Sequence, residues 1–323
     1  MSVVIAEVAG TPEPPGGSPE VAGAKIAGRS PRALAWARLR RDKVALVSLG
    51  FVVFVVLVAI FAHPLSQLIG QSPYKPDRGP NGLSPSGIPV GPSTHHWLGT
   101  DDQGRDILSR LMFGAQVSMI VGLAATAIEI AVGVVVGLIA GFYGGKVDSF
   151  LSRFMDVVLS FPFLLTALAM SARFGNHLSI TIGVIAFFSW SQPGRLVRGQ
   201  VLALREREFV EAARSLGSSD LRIMFVDILP NLIAPVMVYG TLLIPVNIVA
   251  ESTLSFLGLG VTIPKASWGQ MLSDASGSGL YQVAWWFLVF PGLALLLTTL
   301  AFNLLGDGLR DALDPRFDRI GKG

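Results

Sequence analysis

Glu129, Asn247 and Glu251 are the side chains best suited to chemistry within the long apolar stretches of this sequence. A carboxyl group in nonpolar surroundings can carry a proton or bind a cation, and an amide can hydrogen-bond a polar solute. Such groups serve equally well as hydrogen bonds between neighbouring helices. We therefore expect these three residues either to border a polar path through the nonpolar region or to join helices, and the sequence leaves both interpretations open.

The sequence predicts no catalytic residue, no metal site and no bound cofactor. It contains no cysteine, and therefore no thiol nucleophile or thiolate ligand. His95 and His96 are adjacent, but no further ligands stand at metal-binding spacing around them. The Gly-Lys pair that ends at Lys146 is not a phosphate-binding loop, because Ala140 replaces the first glycine and Val147 replaces the residue that would hold magnesium. We expect any nucleotide hydrolysis to require another chain.

The elements that carry these residues are predicted to be membrane-spanning helices. Of 323 residues, 51% are hydrophobic and only 15% are charged, and the mean hydropathy is +0.58. A soluble domain carries about 25% charged residues, so this composition excludes both a soluble protein and a disordered chain. About 20 apolar residues cross the hydrocarbon core as a helix. The pattern predicts an all-α polytopic membrane protein whose transmembrane domain, 44–306, has six spans at 44–62, 117–141, 150–172, 178–194, 229–257 and 285–305.

Positive charges are distributed unequally between the two sides of these spans. With six spans both termini lie on one side, and 19 of the 25 Lys and Arg residues lie there too. Because Lys and Arg are enriched in cytoplasmic loops, we expect both termini in the cytoplasm and no nucleic-acid partner. The proline-rich residues 1–43 predict a disordered tail and an amphipathic approach to the membrane, and 307–323 predict a cytoplasmic C-terminal tail.

The cytoplasmic loop at 195–228 has the pattern of a docking element. Good helix formers fill 205–216, and apolar residues recur there at helical spacing, at Phe209, Ala212, Ala213 and Leu216. Gly217 permits a left-handed stop before a second short helix. Two helices that meet at a glycine form a compact protrusion suited to a groove on a cytoplasmic partner. An interfacial helix that merely connects two spans is the alternative.

The outer loop at 63–116 contains a second helical pattern. Thr100 and Gln103 have the spacing of a capping box, and an apolar face begins at Ile107. We expect a helix on the outer face that either lies near the mouth where an extracytoplasmic protein docks or packs as a lid on the spans. Periodicity does not distinguish these two roles.

The cytoplasmic loop resembles the EAA loop of bacterial ABC importer permeases. The resemblance rests on the triplet Glu211-Ala212-Ala213, on Gly217 and on the Ile-Leu-Pro sequence that ends at Pro230. In that family the loop is the coupling helix held in a cleft of the ATPase subunit. The resemblance implies ATPase coupling by Glu211, Ala212, Ala213, Arg214, Leu216 and Gly217.

Further segments at 96–111, 251–269 and 303–315 resemble the C-type permease of dipeptide and oligopeptide importers, a subfamily shared with nickel importers. The resemblance implies the type I importer permease fold and a location in the bacterial cytoplasmic membrane. It also implies three kinds of protein partner besides membrane lipid: a homologous permease in a heterodimer, two ATPase subunits that bind ATP and magnesium, and an extracytoplasmic binding protein. The outer residues that it assigns to the binding-protein side are Gly99, Thr100, Asp101, Gly104, Arg105 and Asp106.

The function expected from this resemblance is a non-catalytic permease subunit that imports small peptides. Nickel, haem or another small solute could use the same machinery. An ion-driven secondary transporter, with Glu129 and Glu251 as ion sites, is an alternative of another class, and a membrane scaffold is a third. Only the importer requires a co-expressed ATPase and a binding protein.

Overall fold

The chain folds almost entirely into helices. The computed structural model describes residues 36–261, 265–277 and 279–313, and these ranges contain no β-strand, only two isolated bridges. Most of both predicted tails, at 1–35 and 314–323, lies outside the described residues. The helices are α1 (Lys43–Ile60), α2 (Ala62–Ile69), α3 (Ile107–Tyr143), α4 (Gly145–Ser160), α5 (Phe163–Phe174), α6 (Leu178–Ser189), α7 (Ser191–Leu204), α8 (Glu208–Ser215), α9 (Asp220–Arg222), α10 (Leu229–Phe256), α11 (Trp268–Gly277) and α12 (Trp285–Leu313).

Helix α3 is much longer than the span predicted at 117–141. Its 37 residues correspond to about 55 Å at 1.5 Å per residue. The helix begins at the Asp106 cap, whose Oδ1 accepts the N–H of Ser109 at 2.7 Å, so the capping box predicted at Thr100 is wrong. The Thr100 hydroxyl instead donates to the carbonyl of Gly82 at 2.6 Å. The loop therefore uses this hydroxyl for its own folding, and the helix starts later.

The third predicted span, at 150–172, is broken into two helices. Helices α4 and α5 meet at Phe161 and Pro162 with a bend of 78°. Phe161 has extended backbone with a ψ of 131°, the conformation favoured before proline, so the helix ends at this point. Only together do the two helices have the length and hydropathy of a span.

The fourth predicted span, at 178–194, is divided into two helices at Trp190, three residues before Pro193. Helix α6 has only 12 residues, and α7 starts at Ser191 and continues to Leu204 in the predicted cytoplasmic loop. Pro193 lies in the first turn of α7, where its missing N–H costs nothing because such groups have no partner inside the helix. By length and hydropathy the described helices give four spans, or five if the bent α4–α5 pair is one span, so the predicted count of six is confirmed only in part.

The remaining predicted spans match continuous helices. Helix α1 covers the first, with the Asp42 side chain capping its N-terminus. Helix α10 covers the fifth and continues through Pro235 and Pro245, so these prolines do not end it. A π-helix at Ile223–Ile228 connects it to α9, and α12 extends the last span to Leu313.

Helix α3 forms the centre of the bundle and packs most closely against α7. Its glycine ridge, Gly133, Gly137 and Gly141, faces that helix. A Cβ at Gly137 would lie 2.5 Å from the carbonyl oxygen of Gly194, so only glycine allows the two backbones this close. All three glycines of the ridge contact the same helix, α7, which continues into the loop at 195–228.

Candidate functional site

Asp101 forms the centre of a buried ion-pair network in the loop before α3. Its Oδ1 accepts the backbone N–H groups of Gln103 and Arg105, each at 2.9 Å. Its Oδ2 lies 2.7 Å from Nε of Arg105 and 3.2 Å from Nε of Arg110. All three charged side chains are almost completely buried. One carboxylate thus fixes both the turn before α3 and the first turn of that helix.

The same two arginines connect this turn to α11. Nη2 of Arg110 lies 3.6 Å from Oδ2 of Asp274 on α11, and Nη2 of Arg105 lies 3.6 Å from Oδ1 of Asp102. Burial raises the pKa of the Asp102 carboxyl, and the charge of Asp101 raises it further, whereas the arginines lower it. Burial also raises the pKa of the Asp274 carboxyl. The outer network, by which we mean Asp101, Asp102, Arg105, Arg110 and Asp274, joins segments more than 160 positions apart.

A second buried pair fixes the start of α3. Nδ1 of His96 lies 2.9 Å from Oδ2 of Asp106, while Nε2 lies 3.5 Å from Oδ2 of Asp77. Oδ1 of the same Asp106 caps α3. The described residues contain no group of three acidic or histidine side chains arranged to hold a metal ion. Through its contact with Asp106, His96 connects the loop to the residue that caps α3.

The six predicted outer-loop residues come together, but all of them are buried. Gly99 and Gly104 have positive φ angles of 81° and 77°, which favour glycine. A Cβ at Gly99 would also lie 2.7 Å from the indole of Trp286. These residues build the outer loop and do not present a surface, which favours the packing role over direct contact with another protein. Trp97 is an exposed side chain of the same loop.

The three polar residues predicted within the spans lie where α3 meets α10. Nδ2 of Asn247 donates to Oε2 of Glu129 at 3.2 Å and to the hydroxyl of Thr126 at 2.9 Å. Glu251 lies one turn further along α10 and accepts from Ser118 on α3 at 3.0 Å. All three are buried, so in this conformation they join two helices.

Helix α8, in the loop at 195–228, ends in a Schellman motif. The N–H of Ser218 bonds to the carbonyl of Ala213 at 3.0 Å, and the N–H of Gly217 to that of Arg214 at 2.9 Å. Gly217 has a φ of 75°, which confirms the predicted left-handed stop. Ser219 begins α9 without a side-chain hydrogen bond. The chain therefore turns sharply after α8, and the two short helices α8 and α9 form a protrusion.

Val210 anchors this protrusion, although the apolar pattern of the sequence did not indicate it. Its side chain is fully buried in a cluster with Leu138, Val201 and Ile223, whereas the predicted apolar residues Phe209 and Leu216 are exposed. The spacing of Val210 and the half-buried Ala213 marks the inward face, but the richer apolar pattern at 209, 212 and 216 concealed it.

The opposite face of α8 is available to a partner. Leu216 is 86% exposed, and Leu221 in α9 is also exposed. Glu211 and Ala212 are exposed on the same helix, and the guanidinium of Arg214 lies 5.5 Å from the ring centre of Phe142. Exposed leucines beside charged groups are typical of a docking surface. We call Phe209, Leu216 and Leu221 the apolar tip.

Several partners of the predicted residues were not indicated by the sequence. Asp274 lies on α11 and Asp77 in the loop before α3, and neither stands in a recognisable motif. Both aspartates stand among other polar residues, so no local pattern in the sequence pairs them with His96 or Arg110.

Comparisons with known proteins agree with this geometry. Residues 133–319 match the family described as binding-protein-dependent transport system inner membrane component, and residues 30–85 match the N-terminal transmembrane domain of oligopeptide transport permease C. A glutathione transport system permease protein of Shigella sonnei is 43% identical over 281 residues, which cover 87% of this chain and 89% of that protein. A dipeptide transport system permease protein of Alkalihalophilus pseudofirmus is 42% identical over 306 residues, or 95% of this chain and 96% of that protein.

A solved structure shares the fold. The methionine ABC transporter MetNI, in inward-facing conformations, matches with a TM-score of 0.53 at 15% identity, over 64% of this chain and 96% of that chain. The family resemblance inferred from the motifs is thereby confirmed. The chain belongs to the family of inner membrane components of binding-protein-dependent transport systems.

Proposed function

We propose that this chain is the permease subunit of an ABC importer and forms, with a homologous permease, a pathway for dipeptides and oligopeptides. The observation that carries the proposal is the apolar tip. Leu216 is 86% exposed on a protrusion that Val210 anchors firmly to the bundle. Such a surface suits the docking of a partner, and the EAA-like residues around it support a cytoplasmic ATPase as that partner.

The chain's own role is conformational and non-catalytic. Two partner ATPases bind ATP and magnesium, and their closure displaces α8 through Glu211, Ala212 and Leu216. An extracytoplasmic binding protein delivers substrate to the outer side, and both termini of this chain lie in the cytoplasm of the bacterial inner membrane. The excess of Lys and Arg in the tail and in the loop at 195–228 supports that orientation.

The substrate class follows from two relatives. One is named for glutathione, a tripeptide, and the other for dipeptides, and each is more than 40% identical to this chain. Their common chemistry is a short peptide with charged ends. Nickel, haem or another small solute remains the second candidate, because the binding protein selects the cargo.

The polar residues between α3 and α10 supply candidates for the pathway. Glu129, Asn247 and Glu251 are buried at the contact of these two helices. We propose that they border the pathway and become accessible when the helices separate. Their burial among hydroxyl and amide partners supports a role in closing the contact, since every separation must break these bonds.

The deciding experiment is uptake of a labelled dipeptide by proteoliposomes that contain the complete transporter. We expect uptake only when both ATPases, ATP and the binding protein are present. Uptake driven by a proton or sodium gradient without the ATPases would overturn the proposal and support the secondary transporter instead. Binding of the dipeptide or of nickel to the isolated binding protein distinguishes the two substrate classes.

A further inference from the structure

Three arginines from α7, α8 and the connection between them contact the corner at 141–148, where α3 ends and α4 begins. Arg198 holds Asp148 with two parallel contacts, Nε to Oδ1 and Nη2 to Oδ2, the second at 2.7 Å. Nη1 of Arg205 donates to the carbonyl of Gly141 at 3.1 Å. Arg214 completes the arginine clamp, our name for these three residues, by its contact with the ring of Phe142.

The corner has the charge to hold such a clamp. The last turn of α3 presents carbonyl oxygens without helical partners, and these carry partial negative charge. Asp148 adds a full negative charge in the first turn of α4, where it also accepts from the hydroxyl of Ser152 at 3.1 Å. The corner is also shaped to admit Arg205, because a Cβ at Gly144 would lie 2.6 Å from its Nη1.

Helix α3 connects this corner to the opposite side of the protein. The helix is continuous from Ile107 to Tyr143, about 55 Å. Arg110 in its first turn belongs to the outer network with Asp101 and Asp274. The arginine clamp therefore contacts the C-terminal end of α3, and the outer network holds its N-terminal end. Because α3 is one continuous helix, we refer to it as the rod.

We propose that the arginine clamp makes the coupling helix α8 and the rod α3 move as one body, so that a displacement imposed by the ATPase reaches the outer network. The inference rests on the proposed function. Arg198, Arg205 and Arg214 are then positioning residues for coupled transport. The planar fork of Arg198 on a carboxylate resists rotation better than a single contact does.

The same helices provide a matched control. Arg195 on α7 and Asp156 on α4 are 2.5 Å apart, but their side chains are 49% and 57% exposed and do not touch the corner. Exposed pairs of this kind contribute little. A general effect of removing a charge between α4 and α7 would appear in both pairs, whereas a specific effect of the clamp would appear only at Arg198.

The first test measures coupling in the reconstituted complete transporter. We expect R198A to lower dipeptide import per ATP hydrolysed by about 3- to 30-fold, with basal hydrolysis unchanged. The charge swap D148R/R198D should restore import per ATP hydrolysed. The single variant R198K should retain part of this ratio, and R195A should leave it at the wild-type value. Equal losses of import and hydrolysis, a swap that fails to restore the ratio, or an R195A effect of the same size overturns the inference.

The second test measures whether α8 and the corner keep a constant distance, and it does not depend on the substrate. The chain contains no cysteine, so spin labels at the exposed Ser215 and Val147 report only the distance between α8 and the corner. We expect one narrow distance distribution that is the same with and without ATP in the wild type, and a broad one in the triple variant R198A/R205A/R214A. A distance that changes with ATP in the wild type overturns the clamp. Wild-type transporter that hydrolyses no ATP overturns the proposed function instead.

Discussion

The hydroxyl of Ser118 on α3 donates a 3.0 Å hydrogen bond to Oε2 of Glu251 on α10, although the two residues are 133 positions apart. The other oxygen of Glu251 accepts from Ser255 at 2.7 Å, and Ser252 lies 3.4 Å from Oε2. The carboxyl group is completely buried. The nonpolar interior accommodates the carboxyl group of Glu251 because three serine hydroxyls surround it.

Removal of this carboxyl should weaken the contact between α3 and α10. In Glu251→Ala the buried hydroxyls of Ser118 and Ser255 lose their acceptor, and an unpaired buried group costs about 1–3 kcal/mol. We expect a clear fall in melting temperature of the purified protein in detergent, and a smaller fall for Glu251→Gln, which keeps one acceptor oxygen. Thr253→Ala is the control, because this exposed hydroxyl bonds only within its own helix. An equal effect of the control would contradict the role of the carboxyl.

The glycine ridge should tolerate no side chain. A methyl group at Gly137 would meet backbone atoms of Gly194 at 2.5 Å and Arg198 at 3.0 Å, and these atoms cannot turn away. We expect Gly137→Ala to lower the free energy of unfolding by about 1–3 kcal/mol, the usual effect of overpacking. Gly199→Ala on α7 has no atom within 4 Å and should be neutral or slightly stabilising. Thermal unfolding of both variants measures the difference, and equal stability would show that α7 can move away.

Val210 in α8 and Leu216, which directly follows that helix, should give different defects. Leu216→Asp changes an exposed side chain, so we expect unchanged thermal stability of the chain but about tenfold less ATPase subunit in pull-down from detergent. Val210→Asp places a charge in the buried cluster and should lower stability itself. Retention of the ATPase by Leu216→Asp at the wild-type level would exclude the apolar tip as the docking surface.

The outer network should gain stability on mild acidification through Asp102. Its pKa is higher in the folded chain because of burial and Asp101. A carboxyl with a raised folded pKa binds more protons when folded, so its contribution to stability rises as the pH falls from the folded value toward the ordinary value near 3.8. Asp102→Asn lacks this proton uptake and should be more stable than wild type at high pH.

Melting temperatures of wild type and Asp102→Asn between about pH 8 and about pH 4 check this expectation. The advantage of the variant should shrink as the pH falls, since the wild-type carboxyl becomes neutral as well. A variant whose advantage grows on acidification would show that Arg105 and Arg110 stabilise the ionised carboxylate by more than burial destabilises it.

The amino-acid sequence determined the membrane class, the positions of α1, α10 and α12, and the stop at Gly217. These features are local, because a long apolar run must satisfy its backbone as a helix and a glycine alone adopts positive φ at low cost. Pro162 indicated a break in the third span, but the bend of 78° and the end of α6 after 12 residues came only from the structure.

Only the tertiary structure decided which groups meet. The motif around Asp101 suggested a surface on the outer side, yet its residues are buried because Asp274 and Trp286 approach from distant parts of the chain. Likewise, Val210 faces inward because Leu138 and Ile223 surround it, whereas Leu216 has no such neighbours. Helical periodicity predicts which residues share a face of a helix. Whether that face is buried depends on the elements that pack against it.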